Sequence, residues 1–192
     1  MRHVPALLIA AARASEGHLP DDRQAARLLR TPIGGLDALG LRRLGRELRR
    51  RAMAAAPDET PAASGQLIAD EVAGERLVAD DEPGASTDTA ALVRFRGLFT
   101  ELTGLVSQRA DLPTILWHAW SGTAWPSKLQ AEALRGTDNS ARANRDLDAV
   151  VALFDFASRE VSWAGAKGVR SLVAEVEGQQ IPADTAREND PR

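Results

Sequence analysis

The segment TPIGGLDALGLRRLGRELRRR, residues 31–51, sets a proline and two adjacent glycines directly before a run studded with arginines. Thr31-Pro32 ends the preceding helix, because the residue before a proline is pushed out of the helical region. Ile33-Gly34-Gly35 then makes a turn, and Asp37 is placed to cap a helix over about residues 37–55. Leu41, Leu44 and Leu48 recur at spacings of three and four, which gathers them on one apolar stripe. Arg42, Arg43, Arg46, Arg49 and Arg50 fall off that stripe and are presented outward. Two interpretations stay open. The first N–H groups of a helix are unpaired and partly positive, so a glycine turn before them can seat a phosphate, here aided by Thr31, Gly34 and Gly35. The plainer alternative is an αα turn followed by a solvated helix.

Working outward, the pattern is helical nearly throughout. One helix is expected over residues 4–14, closed by Gly17, and another over Asp21–Arg30, with Asp21 and Asp22 favourable to its dipole. PDETPAASG, residues 57–65, is a loop, residues 65–73 form a short helix, and ERLVADDEPGASTDT is an acidic, turn-rich connection. From Asp88 to Arg109, Leu92, Phe95, Phe99, Leu102 and Val106 repeat at three and four residues. That periodicity predicts an amphipathic helix of roughly 30 Å at 1.5 Å per residue. Leu112-Pro113 restarts the chain into ILWHAW, where Trp117 and Trp120 lie three apart on one helix face and read as core packing. Pro126 begins PSKLQAEAL, and a long helix at about 141–163 carries Leu147, Val150, Val151, Phe154 and Val161 on one side. A last helix spans 168–177 and stops at Gly178.

No alternating stretch is long enough to argue for a sheet. The expected class is therefore all-α, an irregular multi-helix bundle forming a single helical domain over residues 1–192. Within it, residues 31–55 supply the glycine turn and arginine-rich helix, 57–90 a flexible acidic connection, 91–178 the helical bundle and 179–192 a tail.

Composition narrows the chemistry. With 192 residues, 44% hydrophobic and 27% charged, the chain can bury a real core. It has no cysteine, and His3, His18 and His118 are far apart without ligand spacing, so no metal site is expected. No apolar run approaches the roughly 18 residues that span a bilayer, and the start does not resemble a signal peptide, so no membrane partner and a cytoplasmic location are expected. The net charge of −3 hides segregation: residues 23–51 carry nine arginines against Asp37 and Glu47, a net +7, whereas residues 57–90 carry nine acids against Arg76, a net −8. Either the basic segment meets a polyanion or the two segments screen each other. There is no G-x-x-x-x-G-K-[ST], H-E-x-x-H or G-x-S-x-G motif, and Asp146 and Asp148, two apart on a helix, do not converge. No complete catalytic site and no cofactor of this chain's own are therefore expected.

LLRTPIGGLDALGLRRLGRELRR, residues 28–50, resembles the helical 2B subdomain of UvrD/Rep-type superfamily 1 DNA helicases. Closer still is the similarity to the AdnA/AdnB-type branch of helicase-nucleases, carried by the run LL-[ST]-P-[LI]-G-G-x-D followed by arginines. It continues in LWHAW at 116–120, in RDLDAVVALFDFASR at 145–159 and in LVAEVEGQQIPADT at 172–185, in order along the chain and weakest between 55 and 90. The resemblance implies a piece inserted in the second of two RecA-like domains that bind ATP and Mg²⁺ between them, with the tail at 179–192 leading toward that domain. It places Gly35 at the first glycine of a phosphate-gripping G-I-G turn and Asp37, whose carboxylate repels phosphate, at the second. Ala124 and Leu129 stand where that branch has a glycine and a tryptophan, with Trp125 nearby.

By this resemblance the expected role is that of an accessory region contacting or orienting duplex DNA at a junction with single strand, during unwinding in DNA repair or recombination. Thr31, Gly34, Gly35, Arg42, Arg43, Arg46, Arg49 and Arg50 are the candidate contacts. The expected partners are RecA-like domains of the same or a neighbouring chain. The alternative is a structural domain that packs against a second helicase-nuclease subunit without touching DNA.

Overall fold

In a computed structural model the chain is described at residues 3–75, 77–80, 84–137, 139–159 and 163–188, with side chains as far as residue 178. Among the described residues the fold is all-helical: α1 His3–Ala14, α2 Asp22–Leu29, α3 Ala38–Ala55, α4 Ser64–Ala73, α5 Thr87–Ser107, α6 Leu112–Ser121, α7 Trp125–Leu134, α8 Ser140–Arg159 and α9 Gly165–Glu188. The sole extended pairing among them is an isolated bridge between Asp111 and Ala164. No helix of the described residues is long and apolar enough to cross a membrane.

Local chemistry sets the helix ends. Asp21 accepts the Gln24 N–H, Asp37 the Gly40 N–H, Ser86 the Thr89 N–H and Asp111 the Thr114 N–H, each filling an orphan donor of the helix it starts. The Thr114 hydrogen bond also holds the Asp111 carboxyl below its ordinary range. Pro113 and Pro126 occupy first-turn positions, where the missing N–H costs nothing.

Helix α5 is the hub, packing against α1, α3, α4, α6 and α9. All five residues of its expected apolar stripe are buried: Leu92, Phe95, Phe99, Leu102 and Val106. The core extends from them to Leu7 and Leu8 of α1, Leu28 and Leu29 of α2, Leu44 and Leu48 of α3, and Leu112 and Ile115 of α6. On α8, Val150 is buried and Leu147 and Phe154 are half-buried, but Val151 is exposed; Val161 lies outside the described residues.

Three sequence expectations need correction. The acidic stretch 57–90 is not simply a flexible connection: α4 packs on α2, α3 and α5, and its Glu71 is fully buried. The Glu71 carboxylate accepts the Leu77 and Val78 N–H groups and pairs with Arg96 of α5, itself 2% exposed. Arg96 also donates to the Val78 carbonyl and to Asp80, both at 2.7–2.8 Å, so it clips residues 77–80 onto α5. Second, α9 does not stop at Gly178 but runs to Glu188, so the expected tail begins as helix. Gly178 is not among the positive-φ glycines, so it supplies no left-handed stop. Third, Trp117 is 57% exposed, because α6 buries Leu112, Ile115, Leu116 and Ala119 and so turns residue 117 away.

The Arg96–Glu71 pair gives a direct test. Glu71→Ala strands a buried guanidinium and lowers the free energy of unfolding by about 3–5 kcal/mol. The double variant Glu71→Leu with Arg96→Met recovers part of that loss: apolar groups of similar volume remove the unpaired charge, while the Leu77 and Val78 amides stay without their acceptor. Urea denaturation of the three chains checks both outcomes.

Candidate nucleic-acid interface

The α2–α3 turn is built by its own residues. Thr31 is buried; its hydroxyl donates to the Leu28 carbonyl at 2.7 Å and accepts the Gly34 N–H at 3.2 Å. The Gly35 N–H is taken by the Thr31 carbonyl at 2.8 Å and the Leu36 N–H by the Leu29 carbonyl at 3.0 Å. A Cβ on Gly34 would sit 2.4 Å from the Leu29 backbone, and Gly35 has φ +76°. Thr31, Gly34 and Gly35 therefore serve the turn, and the amides of Gly34, Gly35 and Leu36 are already paired. Asp37 occupies the start of α3 with its own carboxylate, 2.6 Å from the Gly40 amide.

On α3, two glycines permit close packing. A Cβ on Gly40 would lie 2.7 Å from Asp88 Oδ1 of α5, and one on Gly45 would lie 2.9 Å from Ser64 Cβ of α4. With that side held, the five candidate arginines all remain exposed, but they are not equivalent. Arg43 donates to both Asp88 oxygens, at 2.6 and 3.1 Å, and this hydrogen bonding raises its pKa. Arg50 bonds Glu47 at 2.5 Å and Arg51 bonds it at 2.8 Å; Arg50 foremost, then Arg51, hold that carboxyl below its ordinary range. Arg42, Arg46 and Arg49 have no ion pair or side-chain hydrogen bond among the described residues. Spaced i, i+4, i+7, they form one outward stripe spanning about 10 Å of helix.

Arg23 and Arg27 of α2 and Arg30 at its C-cap repeat the same spacing, exposed and likewise without a side-chain partner among the described residues. They wall a separate cleft of about 600 Å³ that reaches Ala6 of α1 and Leu41 of α3. Sequence reasoning counted them in the basic segment but did not single them out; their i, i+4, i+7 spacing was the available signal.

The Trp117 ring meets Phe154 edge-on at 6.5 Å, and Trp120 meets Trp125 at 5.3 Å. His118 is engaged by Glu101 at 2.6 Å. Among the described residues no group of three histidines or carboxylates could hold a metal ion. Nor does the glycine turn fit a nucleotide triphosphate, since its amides face inward partners and no lysine follows it. What the arrangement presents is a row of exposed guanidinium groups without partners among the described residues. No family model matches this chain, and no curated protein sequence matches it.

The two turn glycines should separate by mechanism. Gly34→Ala forces backbone apart and costs about 1–3 kcal/mol of stability. Gly35→Ala meets open space and costs about 1–2 kcal/mol, the left-handed penalty of an L-residue. Denaturation of each variant, with a crystal structure of Gly34→Ala to locate the shift, checks this.

Proposed function

We propose that this chain is an accessory, 2B-like region of an ATP-dependent UvrD-family DNA helicase that holds duplex DNA through α3 in the cytoplasm. The carrying observation is the stripe Arg42, Arg46 and Arg49, exposed and unpartnered among the described residues. Guanidinium groups at this spacing suit consecutive phosphates of one strand, and such contacts position a duplex without reading its sequence. Arg43 and Arg50 flank the stripe and add field, while their bonds to Asp88 and Glu47 keep them from being first contacts. ATP, Mg²⁺ and the motor belong, in this proposal, to RecA-like domains of the same or a neighbouring chain, and this chain alone hydrolyses no ATP. The ordered motifs from residue 28 to residue 185 support the assignment.

A second reading, a domain that packs against a partner subunit without DNA contact, is favoured by the spent amides of the turn and by Asp37 at the helix start. The two separate cleanly in solution. Arg42→Glu with Arg46→Glu and Arg49→Glu abolishes retention on a duplex oligonucleotide at low salt and leaves the unfolding midpoint nearly unchanged. For the parent chain, log affinity falls linearly with log salt, and removing a single one of these arginines lowers that slope by about 0.9. Retention equal to the parent's in the triple variant, measured by fluorescence anisotropy, would sink the DNA reading.

Asp37 provides an independent check. Asp37→Asn keeps an N-cap acceptor but removes a negative charge beside the proposed path of the phosphates. Duplex affinity is expected to rise several-fold at low salt and to converge with the parent's at high salt. Anisotropy titrations at two ionic strengths measure it.

A further inference from the structure

The outer face of α1 carries three concavities that meet at Ala6 and Arg27, which line all of them. One, of about 180 Å³, runs between α1 and α2 over Ile9, Ala10 and Leu28, with Arg13 on its rim. The second is the cleft walled by Arg23, Arg27 and Arg30. The third, of about 420 Å³, continues across α1 to Val173 and Val176 of α9, with Glu177 at its edge. Together they make a groove whose floor includes the apolar side chains of Ala6, Ile9, Ala10 and Val176, with a rim of four arginines against one glutamate. The four arginines are exposed and have no side-chain partner among the described residues.

From this we infer a docking groove for an acidic amphipathic helix of a partner protein, with an apolar stripe along one face and carboxylates beside it. Charge complementarity selects that occupant. A helix with flanking carboxylates meets Arg13, Arg23, Arg27 and Arg30 while its apolar stripe covers Ala6, Ile9 and Val176. A nucleic-acid backbone could satisfy the arginines but would leave the floor beneath it without apolar cover. Helix-in-groove recognition uses this division: apolar anchors at i, i+3, i+4 and i+7 supply contact area, and charges set orientation and partner choice. The walls are rigid, since α1 packs on α5 and α9, and Arg170 of α9 holds Glu16 through two bonds of 2.8 and 2.9 Å. The groove does not draw on Arg42, Arg46 or Arg49, so it stands or falls separately from DNA contact.

The test uses the full chain and a synthetic helical peptide of about 18 residues, about 27 Å long, with leucines at i, i+3, i+4 and i+7 and glutamates flanking them. Saturable binding by fluorescence anisotropy is expected, weakened at least tenfold by Arg27→Glu and by Ile9→Glu. Circular dichroism melts confirm that both variants fold; should Ile9→Glu not fold, Arg23→Glu with Arg30→Glu takes its place. Changing the peptide's glutamates to lysines abolishes binding, and Arg42→Glu with Arg46→Glu and Arg49→Glu leaves it unchanged. Absence of saturable binding, undiminished binding to Arg27→Glu, or full displacement of the peptide by duplex DNA would each overturn the groove.

Discussion

The buried contact between Arg96 of α5 and Glu71 of α4 constrains everything around it. Burial pushes the Glu71 carboxyl upward from its ordinary pKa, against the downward pull of the Leu77 and Val78 amides and of Arg96. Desolvating two charges is costly, so such a pair adds little net stability; its effect is to make alternatives worse, because neither charge can be left alone inside. The carboxylate and guanidinium are shared among α4, α5 and residues 77–80, so these pieces must arrive in one arrangement. Arg96 Nε remains buried without a hydrogen-bond partner among the described residues, a further sign that the site is fixed by the pair rather than optimised around it. Helix α3 inherits that arrangement. It rests on α4 where Gly45 approaches Ser64 and on α5 where Gly40 approaches Asp88, and those two contacts decide which of its arginines face outward.

Charge segregation in the sequence admitted either mutual screening or a polyanion; the fold shows screening for some of these charges and leaves other arginines without a partner among the described residues. Acidic residues of the 57–90 stretch pair with arginines of the fold: buried Glu71 and exposed Asp80 with Arg96, Asp88 with Arg43. Within α3, Glu47 engages Arg50 and Arg51. Arg42, Arg46 and Arg49 escape this screening because their positions on the helix lie opposite the α4 and α5 contacts. The same spacing gives Arg23 and Arg27 of α2 and Arg30 at its C-cap a different setting, a cleft that reaches Ala6 and Leu41 rather than an open helix surface. Identical chemistry at identical spacing thus acquires distinct surroundings from what lies beside it.

Much of this was legible in the sequence, for identifiable reasons. The cap at Asp37 and the prolines at 113 and 126 mark helix starts through purely local chemistry, and the α5 stripe follows from a period that repeats over about four turns. The buried pair was not legible: Glu71 and Arg96 are 25 residues apart, and each alone resembles a solvated charge. Trp117 misled because i, i+3 spacing with Trp120 shows a shared face without showing which face the core takes. At the candidate interface, an arginine's identity and register were readable, but whether a carboxylate from another helix had already claimed it was not.

Thr31, Gly34 and Asp37 show why the turn behaves as it does. A helix start is attractive to phosphate because its amides are unpaired and its dipole favours negative charge. Asp37 uses that attraction for the chain itself, placing a carboxylate on the Gly40 amide, while Thr31 and two backbone carbonyls take the amides of Gly34, Gly35 and Leu36. An external anion would have to displace an intramolecular one that is tethered, and tethering gives the carboxylate a high effective concentration at no further entropic cost. In the proposed reading, affinity for an anion on α3 therefore comes chiefly from side chains past the first turn, where the Asp37 carboxylate opposes it less than at the helix start. That places the weight on guanidinium groups at Arg42 and onward rather than on the glycines that precede them.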